Sequence, residues 1–297
     1  MRALLRTTLA LLALAAVTAG GPASLPASAQ GANRDRTLFV SAVDAKGEPV
    51  EALDAGAFVV REDGVRREVL RVSRANEPID VAILIDNSTA IRDEITRFRA
   101  ALSTFVTRMA PGNKVALVAL ADRPTIFVDY TDDPQKLADG IGRVFPMPQS
   151  GMTLIDAVAE VTQGLVRRET PRAVIVPIIT DGTEFTNRYA APTVKALVDA
   201  RVAMHAVTVG QFQYSDEQGI RERLRLLEDG PRQTGGQRVA LLNATGLEGA
   251  LSRVARELLS QYKVVYSRPD SLVTPSKVTV ESGRRGVTVR GGPAHRE

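Results

Sequence analysis

Short apolar runs alternate with segments of helical periodicity from Ile79 onward, and this alternation constrains the fold more than any other feature of the sequence. The run DVAILID is apolar at successive positions, which is typical of a strand buried on both faces of a parallel sheet. Similar runs follow at KVALVALAD, AVIVPIITD, VAMHAVTVG and QRVALLN. Helices between such strands supply the crossovers that parallel pairing needs. The sequence therefore predicts an α/β fold with a mostly parallel central sheet flanked by helices.

Six segments repeat apolar residues every three or four positions and are predicted as helices. The first runs from Ile91 to Met109 and stops at Pro111-Gly112. The others lie at residues 134–144, 153–168, near 191–200, near 217–227 and 247–260.

Two details modify the predicted sheet. The segment PTIFVDY follows KVALVALAD too closely for a crossover helix, so we expect it to pair antiparallel at an edge. Pro177 interrupts AVIVPIITD, and because proline has no N–H it predicts a bulge or an unpaired side there.

Strand signals also flank the α/β region on both sides. Alternating segments occur at residues 37–43, 57–63 and 67–73, the last two joined around Gly64 as a predicted hairpin. YKVVYS, SKVTVES and GVTVRGG follow the α/β region. Three short strands bury little core alone, so we expect both sets to pack in one small sandwich-like domain. Two separate small β subdomains are the alternative.

The first residues have the pattern of a secretory signal peptide. Arg2 and Arg6 precede an apolar stretch, and Ala27-Ser28-Ala29 forms a small-residue cleavage site. The apolar stretch is interrupted by Gly20, Gly21, Pro22 and Pro26, which argues against a membrane anchor. The predicted organisation is a leader at 1–29, an N-terminal β segment at 30–77, the α/β domain at 78–260 and a C-terminal β segment at 261–297. The mature protein is expected to be secreted or periplasmic, with no membrane span.

Composition excludes several classes of function. The chain has no cysteine, which removes disulfide scaffolds, thiolate metal sites and an N-terminal lipid anchor. Removing Arg2 and Arg6 with the leader leaves 36 basic against 34 acidic residues. Because no basic cluster with interleaved aromatic residues is present in the sequence, nucleic acid is not an expected partner.

Oxygen-bearing side chains follow the predicted strands where those strands end. Asp86 follows AILI and Asp181 follows VPIIT, and the carboxyl ends of parallel strands share one edge of a sheet. Ser88 is two residues beyond Asp86, a spacing that points both side chains to one side of an extended loop. Thr153 precedes another predicted helix. Carboxylates and hydroxyls without His or Cys suit a hard cation such as Mg²⁺.

These residues resemble a known motif set. DNSTA (86–90) is similar to the D-x-S-x-S metal-ion-dependent adhesion motif of von Willebrand factor type A domains. GMTLIDA (151–157) resembles the threonine loop of that family, and TDG (180–182) its second aspartate loop. The flanking segments look like those of the bacterial secreted "VWFA-related" family, so the resemblance covers nearly the whole mature chain. It implies a Rossmann-like von Willebrand domain over 78–260.

The resemblance also implies roles for individual residues. Asp86 and Asp181 are expected to act mostly through waters, while Ser88 and Thr153 coordinate the metal directly. The metal implied is Mg²⁺, with Mn²⁺ or Ca²⁺ as alternatives, and a partner protein's Asp or Glu completes its shell. Ala90 stands where the motif has a third serine, which predicts weaker metal binding.

Neighbouring residues receive structural interpretations. Thr89 points to the other side of the loop, and Asp93 and Asp156 favour the N-terminal turns of helices. His205 is predicted to be a core or lining residue, whereas Glu184 is predicted to be solvated.

Two alternatives to a metal-dependent binding module remain open. One is a metal-independent scaffold with a vestigial site, suggested by Ala90. The other is a Mg²⁺-dependent hydrolase with Asp86 as nucleophile. The hydrolase is disfavoured because the sequence has no Asp two residues further on, no phosphate-binding glycine loop and no Ser-His-Asp or Cys-His set. The predicted protein is therefore a binding module and not an enzyme.

Overall fold

The structure, a computed structural model, describes residues 33–212, 217–269, 273–293 and 295–296. The predicted leader lies outside these residues. The α-helices are α1 (Ile95–Met109), α2 (Pro134–Gly142), α3 (Leu154–Arg168), α4 (Ala190–Asp199), α5 (Gln218–Thr234) and α6 (Leu247–Leu259). The strands are β1 (Asn33–Val43), β2 (Phe58–Glu62), β3 (Val65–Arg67), β4 (Val69–Arg74), β5 (Ile79–Ile85), β6 (Lys114–Ala119), β7 (Thr125–Thr131), β8 (Arg172–Thr180), β9 (Val202–Met204), β10 (Ala206–Val209), β11 (Arg238–Leu241), β12 (Tyr262–Pro269), β13 (Val278–Ser282), β14 (Thr288–Gly291) and β15 (His295–Arg296).

The central sheet has the order β11-β10-β8-β5-β6-β7, with β9 also paired to β8. All its pairs are parallel except β6–β7, so the predicted antiparallel edge strand is confirmed. Every residue of β5 and of β8 is buried, because helices cover both faces of the sheet. Helices α1, α2 and α6 pack on one face, and α3, α4 and α5 on the other. The predicted α/β fold class is confirmed.

The predicted single strand VAMHAVTVG is divided in two, which the sequence did not indicate. Strand β9 pairs with the start of β8, β10 pairs with its end, and His205 lies between them. The interruption falls beside Pro177, which has no N–H to donate to a neighbouring strand. On its other side Pro177 pairs with Leu84 in unbroken register, so β8 carries no bulge toward β5.

Two smaller antiparallel sheets contain strands from both ends of the chain. One has the order β14-β1-β12-β4, with β15 also paired to β1, and the other has the order β13-β2-β3. Their apolar faces form a third core that includes Leu38, Phe58 and Tyr266. Neither end supplies enough strands for this core by itself. The division of the chain into domains at the predicted boundaries stays a prediction.

The prediction that residues 67–73 form one strand of a hairpin is wrong in one respect. The segment divides at Glu68, so that β3 pairs with β2 while β4 pairs with β12 in the other sheet. The carbonyl of Glu68 accepts a hydrogen bond from Ser267 N at 2.9 Å, which marks the start of the second pairing. The edge of β12 is covered by β4 as a result.

A buried arginine ties the α/β part to the antiparallel sheets. Arg172 begins β8 and is 6% exposed. Its guanidinium donates to Leu258 O at 2.6 Å, Gln261 Oε1 at 2.8 Å and Glu77 O at 2.8 Å. Burial lowers the pKa of Arg172 to about 10, and the nearby charge of Glu77 opposes that shift. The side chain therefore fixes the end of α6 against the start of the sheet.

Candidate functional site

The loop after β5 begins with a buried carboxylate that joins two strands. Asp86 has no exposed surface. One carboxylate oxygen, Oδ2, accepts hydrogen bonds from Thr180 N at 3.0 Å and from the Thr180 hydroxyl. The other, Oδ1, accepts from Ser88 N at 2.8 Å. Three donors therefore satisfy much of the charge that burial would otherwise penalise.

Ser88 and Ala90 form the turn that leads into the first helix. Ser88 is 1% exposed and caps the 3₁₀ helix Thr89–Glu94, its Oγ accepting from Ala90 N at 3.4 Å. A Cβ on Gly182 would lie 3.1 Å from Ala90 Cβ and 3.4 Å from Ser88 Oγ. Both side chains therefore lie against the loop that follows β8. A hydroxyl added at position 90 would have Ser88 and this loop as neighbours.

Asp181 occupies the loop after β8 and is anchored to the next strand. Its Oδ2 accepts from Gln211 N at 2.9 Å. Gly210, at the end of β10, has a φ of +112°, and a Cβ there would lie 2.6 to 2.8 Å from the Asp181 carboxylate. Only glycine satisfies both the backbone angle and the close approach. The chain thus brings the carboxylate of Asp181 directly against the backbone of its neighbour.

Thr153 lies at the N-terminus of α3 and is fixed to the end of β6. Its Oγ1 donates to Leu120 O at 2.9 Å and makes no capping bond to the helix. Asn87 Oδ1 accepts from Leu120 N at 3.1 Å and from Ala121 N at 2.8 Å. The threonine loop and the Asp86 loop are therefore attached to the same strand end. The lone pairs of the Thr153 hydroxyl remain available to a ligand.

The donor set fits a hard cation. Asp86 is already hydrogen bonded at both oxygens, which suits a carboxylate acting through waters, whereas the hydroxyls of Ser88 and Thr153 keep free lone pairs. Among the described residues, no three His, Cys, Asp or Glu side chains are grouped as a metal site, so hydroxyl oxygens are needed to complete one. The assignment of Asp86, Ser88, Thr153 and Asp181 as ligands stays a prediction.

Arg223 was not predicted as a site residue, yet it lies beside these loops. It is 2% exposed on α5 and donates through Nη1 to Gly182 O. Burial lowers the pKa of its guanidinium, while the nearby charges of Glu184, Asp86 and Asp181 raise it. Arg223 shares the buried stripe of α5 with Leu226 and Leu227. The position of Arg223 on the apolar face of this helix was therefore the feature of the sequence that could have predicted its burial.

The prediction that Glu184 is solvated is wrong. The residue is 5% exposed because its segment pairs with the threonine loop, with Phe185 N donating to Met152 O at 2.8 Å. Burial raises the pKa of Glu184 to about 8, although Arg223 opposes the shift. The backbone N–H groups of Ile155 and Leu154, at the start of α3, also oppose this shift in the pKa.

Other residues lie where structural roles were expected. Asp156 is in the first turn of α3 and accepts from Thr186 Oγ1 at 2.7 Å and Arg188 Nε at 2.6 Å. The hydroxyl of Thr89 donates to Met147 O at 2.9 Å. His205 is fully buried, as predicted for a core residue. The side chain of His295 lies outside the described residues.

Loops after the strands and before the helices carry exposed apolar side chains, and two of these lie beside the site. Met147 is hydrogen bonded through its backbone to Asn87 and Thr89, and the ring of Phe185 lies within 2.7 Å of where a Cβ on Gly151 would stand. We call the exposed members the apolar rim, namely Phe145, Met147, Phe185, Tyr189 and Leu242, which are 42 to 79% exposed. Exposed aromatic residues and methionine are enriched at interaction surfaces.

Comparison with known proteins supports the family resemblance. Residues 81–184 match the model of the von Willebrand factor type A domain. No curated protein sequence matches the chain.

Solved structures give similarities of fold. The proximal thread matrix protein 1 from the mussel byssus is 16% identical, with a TM-score of 0.51 over 67% of this chain and 49% of its own. The chain thus spans about half the length of that protein. A conserved hypothetical protein, BatB from Bacteroides thetaiotaomicron, is 17% identical with a TM-score of 0.45, over 60% of this chain and 99% of its own.

A match over residues 81–184 covers most of β5, continues through β8 and includes the loops that carry all four predicted ligands. The similarity to the von Willebrand factor type A domain therefore lies in the part of the chain that carries the predicted ligands.

Proposed function

We propose that this is an exported protein that binds a partner protein through a divalent cation held by Asp86, Ser88, Thr153 and Asp181. Mg²⁺ is the proposed cation, with Mn²⁺ or Ca²⁺ as alternatives, and a partner Asp or Glu completes the shell. The observation that carries the proposal is the contact between the two aspartate loops. Asp86 bonds to Thr180, and Ser88 lies against Gly182 at the same edge.

The surroundings of the site support a protein as the ligand. The apolar rim exposes apolar surface to solvent, and a bound protein would bury this surface. Its aromatic members are of the type enriched in binding hot spots. Domains of this family are generally interaction or adhesion modules rather than enzymes.

Export remains part of the proposal. The predicted leader at 1–29 supports a secreted or periplasmic location. In the part of the chain that the structure describes, no helix has the length and hydropathy to cross a bilayer.

A second candidate function is metal-independent binding through the same edge. Two observations favour it: Ala90 lacks a ligand oxygen, and Arg223 already supplies a positive charge. The hydrolase alternative is weaker. Asp86 is wholly buried and accepts three hydrogen bonds, which makes its carboxylate a poor nucleophile.

Thermal unfolding of residues 30–297 tests the metal-dependent proposal. The Tm in EDTA is compared with the Tm in millimolar Mg²⁺ or Mn²⁺, because a ligand that binds only the native state raises the Tm. We expect a rise in the wild type, a larger rise in Ala90→Ser and none in Ser88→Ala. Thr89→Ala is the matched control, since Thr89 bonds to Met147 O instead. A response confined to Ala90→Ser supports the second candidate, and no response in either protein refutes the metal site.

A further inference from the structure

Arg223 reaches the candidate site from a different part of the chain. Helix α5 begins about 35 residues after the Asp181 loop, yet the guanidinium donates to Gly182 O in the middle of that loop. Its carbon also lies 5.1 Å from the centre of the Phe212 ring, and Nη1 lies 3.6 Å from Met152 Sδ. These contacts hold a planar cation beneath the loops.

The charges around this guanidinium are mainly negative. Asp86, Asp181 and Glu184 each lie close enough to favour its charged form. Burying several carboxylates together without a nearby cation costs free energy. In metal-binding sites that cation is the metal itself. Here the chain has a resident positive charge, because arginine stays protonated in proteins.

The guanidinium also holds the Asp181 loop in position, a role that a bound metal ion would otherwise have. It fixes the carbonyl of Gly182, and the loop bearing this carbonyl packs on Ser88 and Ala90. The Nε of Arg223 has no hydrogen-bond partner among the described residues, so one of its donors remains unused.

We propose that Arg223 is a built-in counter-ion of the site, which holds the Asp181 loop in place without a metal and weakens the binding of a divalent cation. This proposal rests on the proposed metal site. A positive charge near a divalent cation is repulsive, and the missing oxygen at Ala90 acts in the same direction. The site therefore keeps its shape when metal is absent and takes up metal only at high concentration.

Calorimetric titration with Mn²⁺ alone, and with Mg²⁺ alone, tests this role. The proteins are residues 30–297 as wild type, Arg223→Lys, Arg223→Gln and the Glu184→Gln/Arg223→Gln pair. We expect Arg223→Gln to bind Mn²⁺ about tenfold more tightly or better, from the removal of one nearby charge. Arg223→Lys keeps a positive charge at this position, so its repulsion of the cation and hence its affinity should stay within about threefold of the wild type. A purely packing role for Arg223 would not separate these two variants.

Controls deal with loss of folding and with general charge effects. If Arg223→Gln does not fold, the double variant carries the test, because it also replaces the carboxyl group that faces Arg223 with a neutral amide. Arg232→Gln is the matched control, since Arg232 is exposed on the same helix and paired with Asp229. It should bind Mn²⁺ as the wild type does.

The outcomes separate this proposal from the proposed function. Binding by the wild type with no gain in folded Arg223→Gln or in the double variant overturns the counter-ion role and leaves the metal site standing. Binding only after Arg223 is replaced supports the counter-ion role and refutes metal dependence in the wild type. No binding by any variant overturns both.

Discussion

The carboxylate of Asp86 accepts two hydrogen bonds from Thr180, one from the backbone N–H at 3.0 Å and one from the hydroxyl. Residues that end two adjacent parallel strands are thus joined through one buried charge. Asp86 therefore connects the ends of β5 and β8 in addition to its place in the loop.

Replacing Thr180 with Val should lower the free energy of unfolding by about 1.5 to 3 kcal/mol, because a buried carboxylate loses one hydrogen-bond donor of three while the side-chain volume is kept. Urea unfolding in EDTA measures the effect without any contribution from metal. Thr180→Ser retains the hydroxyl and should lose clearly less. Equal losses in both variants would mean that the hydroxyl contributes no more to stability than the methyl group does.

Replacing Gly210 with Ala should destabilise the protein by more than about 2 kcal/mol, since the new methyl group enters the Asp181 carboxylate at an unfavourable φ. Gly112→Ala separates the two causes. Gly112 also has a positive φ, +77°, but a Cβ there would meet no atom within 4 Å. Chemical denaturation of both variants compares them. A loss at Gly210 no larger than at Gly112 would show that the contact with Asp181 is not important.

Stability should depend on pH through Glu184. Its pKa rises from 4.5 in the unfolded chain to about 8 in the folded protein, so the native state binds the extra proton. The free energy of unfolding should therefore fall as pH rises from about 4.5 to 8 and become level above that, by an amount on the order of 4 kcal/mol. Arg223 from α5 and Asp156 from α3 face the same carboxylate, with opposite effects on its pKa.

Glu184→Gln should remove most of this fall, as measured by urea unfolding at several pH values. Glu160→Gln, at an exposed position on α3, should leave the profile unchanged. A profile identical in wild type and Glu184→Gln would show that folding does not raise the pKa of Glu184.

Replacing Arg172 with Leu should destabilise the protein by about 3 kcal/mol. The substitution leaves the buried acceptors Leu258 O and Gln261 Oε1 without their donor. Arg97→Leu is a comparison at an exposed ion pair with Glu94 and should change stability by no more than about 1 kcal/mol. Thermal and urea unfolding measure both. A small effect at Arg172 would mean that its hydrogen bonds are not needed to hold the two parts of the molecule together.

The parallel sheet could be predicted because burial on both faces leaves a direct mark on the sequence, as in β5 and β8. Asp86 and Asp181 could be placed together for the same reason, since both follow such runs. The division of β9 from β10 at His205 was not predicted from their own segment, which reads as one strand, although Pro177 predicted an unpaired side on the strand beside it.

Arg223 and Glu184 escaped prediction because charged residues are solvated in most proteins. Their burial depends on each other and on loops that meet only in the folded chain. The position of Arg223 on the apolar face of α5 could have predicted its burial, whereas nothing in the sequence around Glu184 indicated that Glu184 is buried.

The pairing of β1 with β12 has a consequence for the order of folding. Ser41 and Gln261 lie 220 residues apart and are hydrogen bonded. Contacts of such long range form late, because the intervening chain must first lose its freedom. A chain emerging from synthesis or from a translocation channel must hold β1 without its partner until nearly the last residues arrive. During that interval the edges of β1 are open to other chains, and the completed antiparallel sheet closes them.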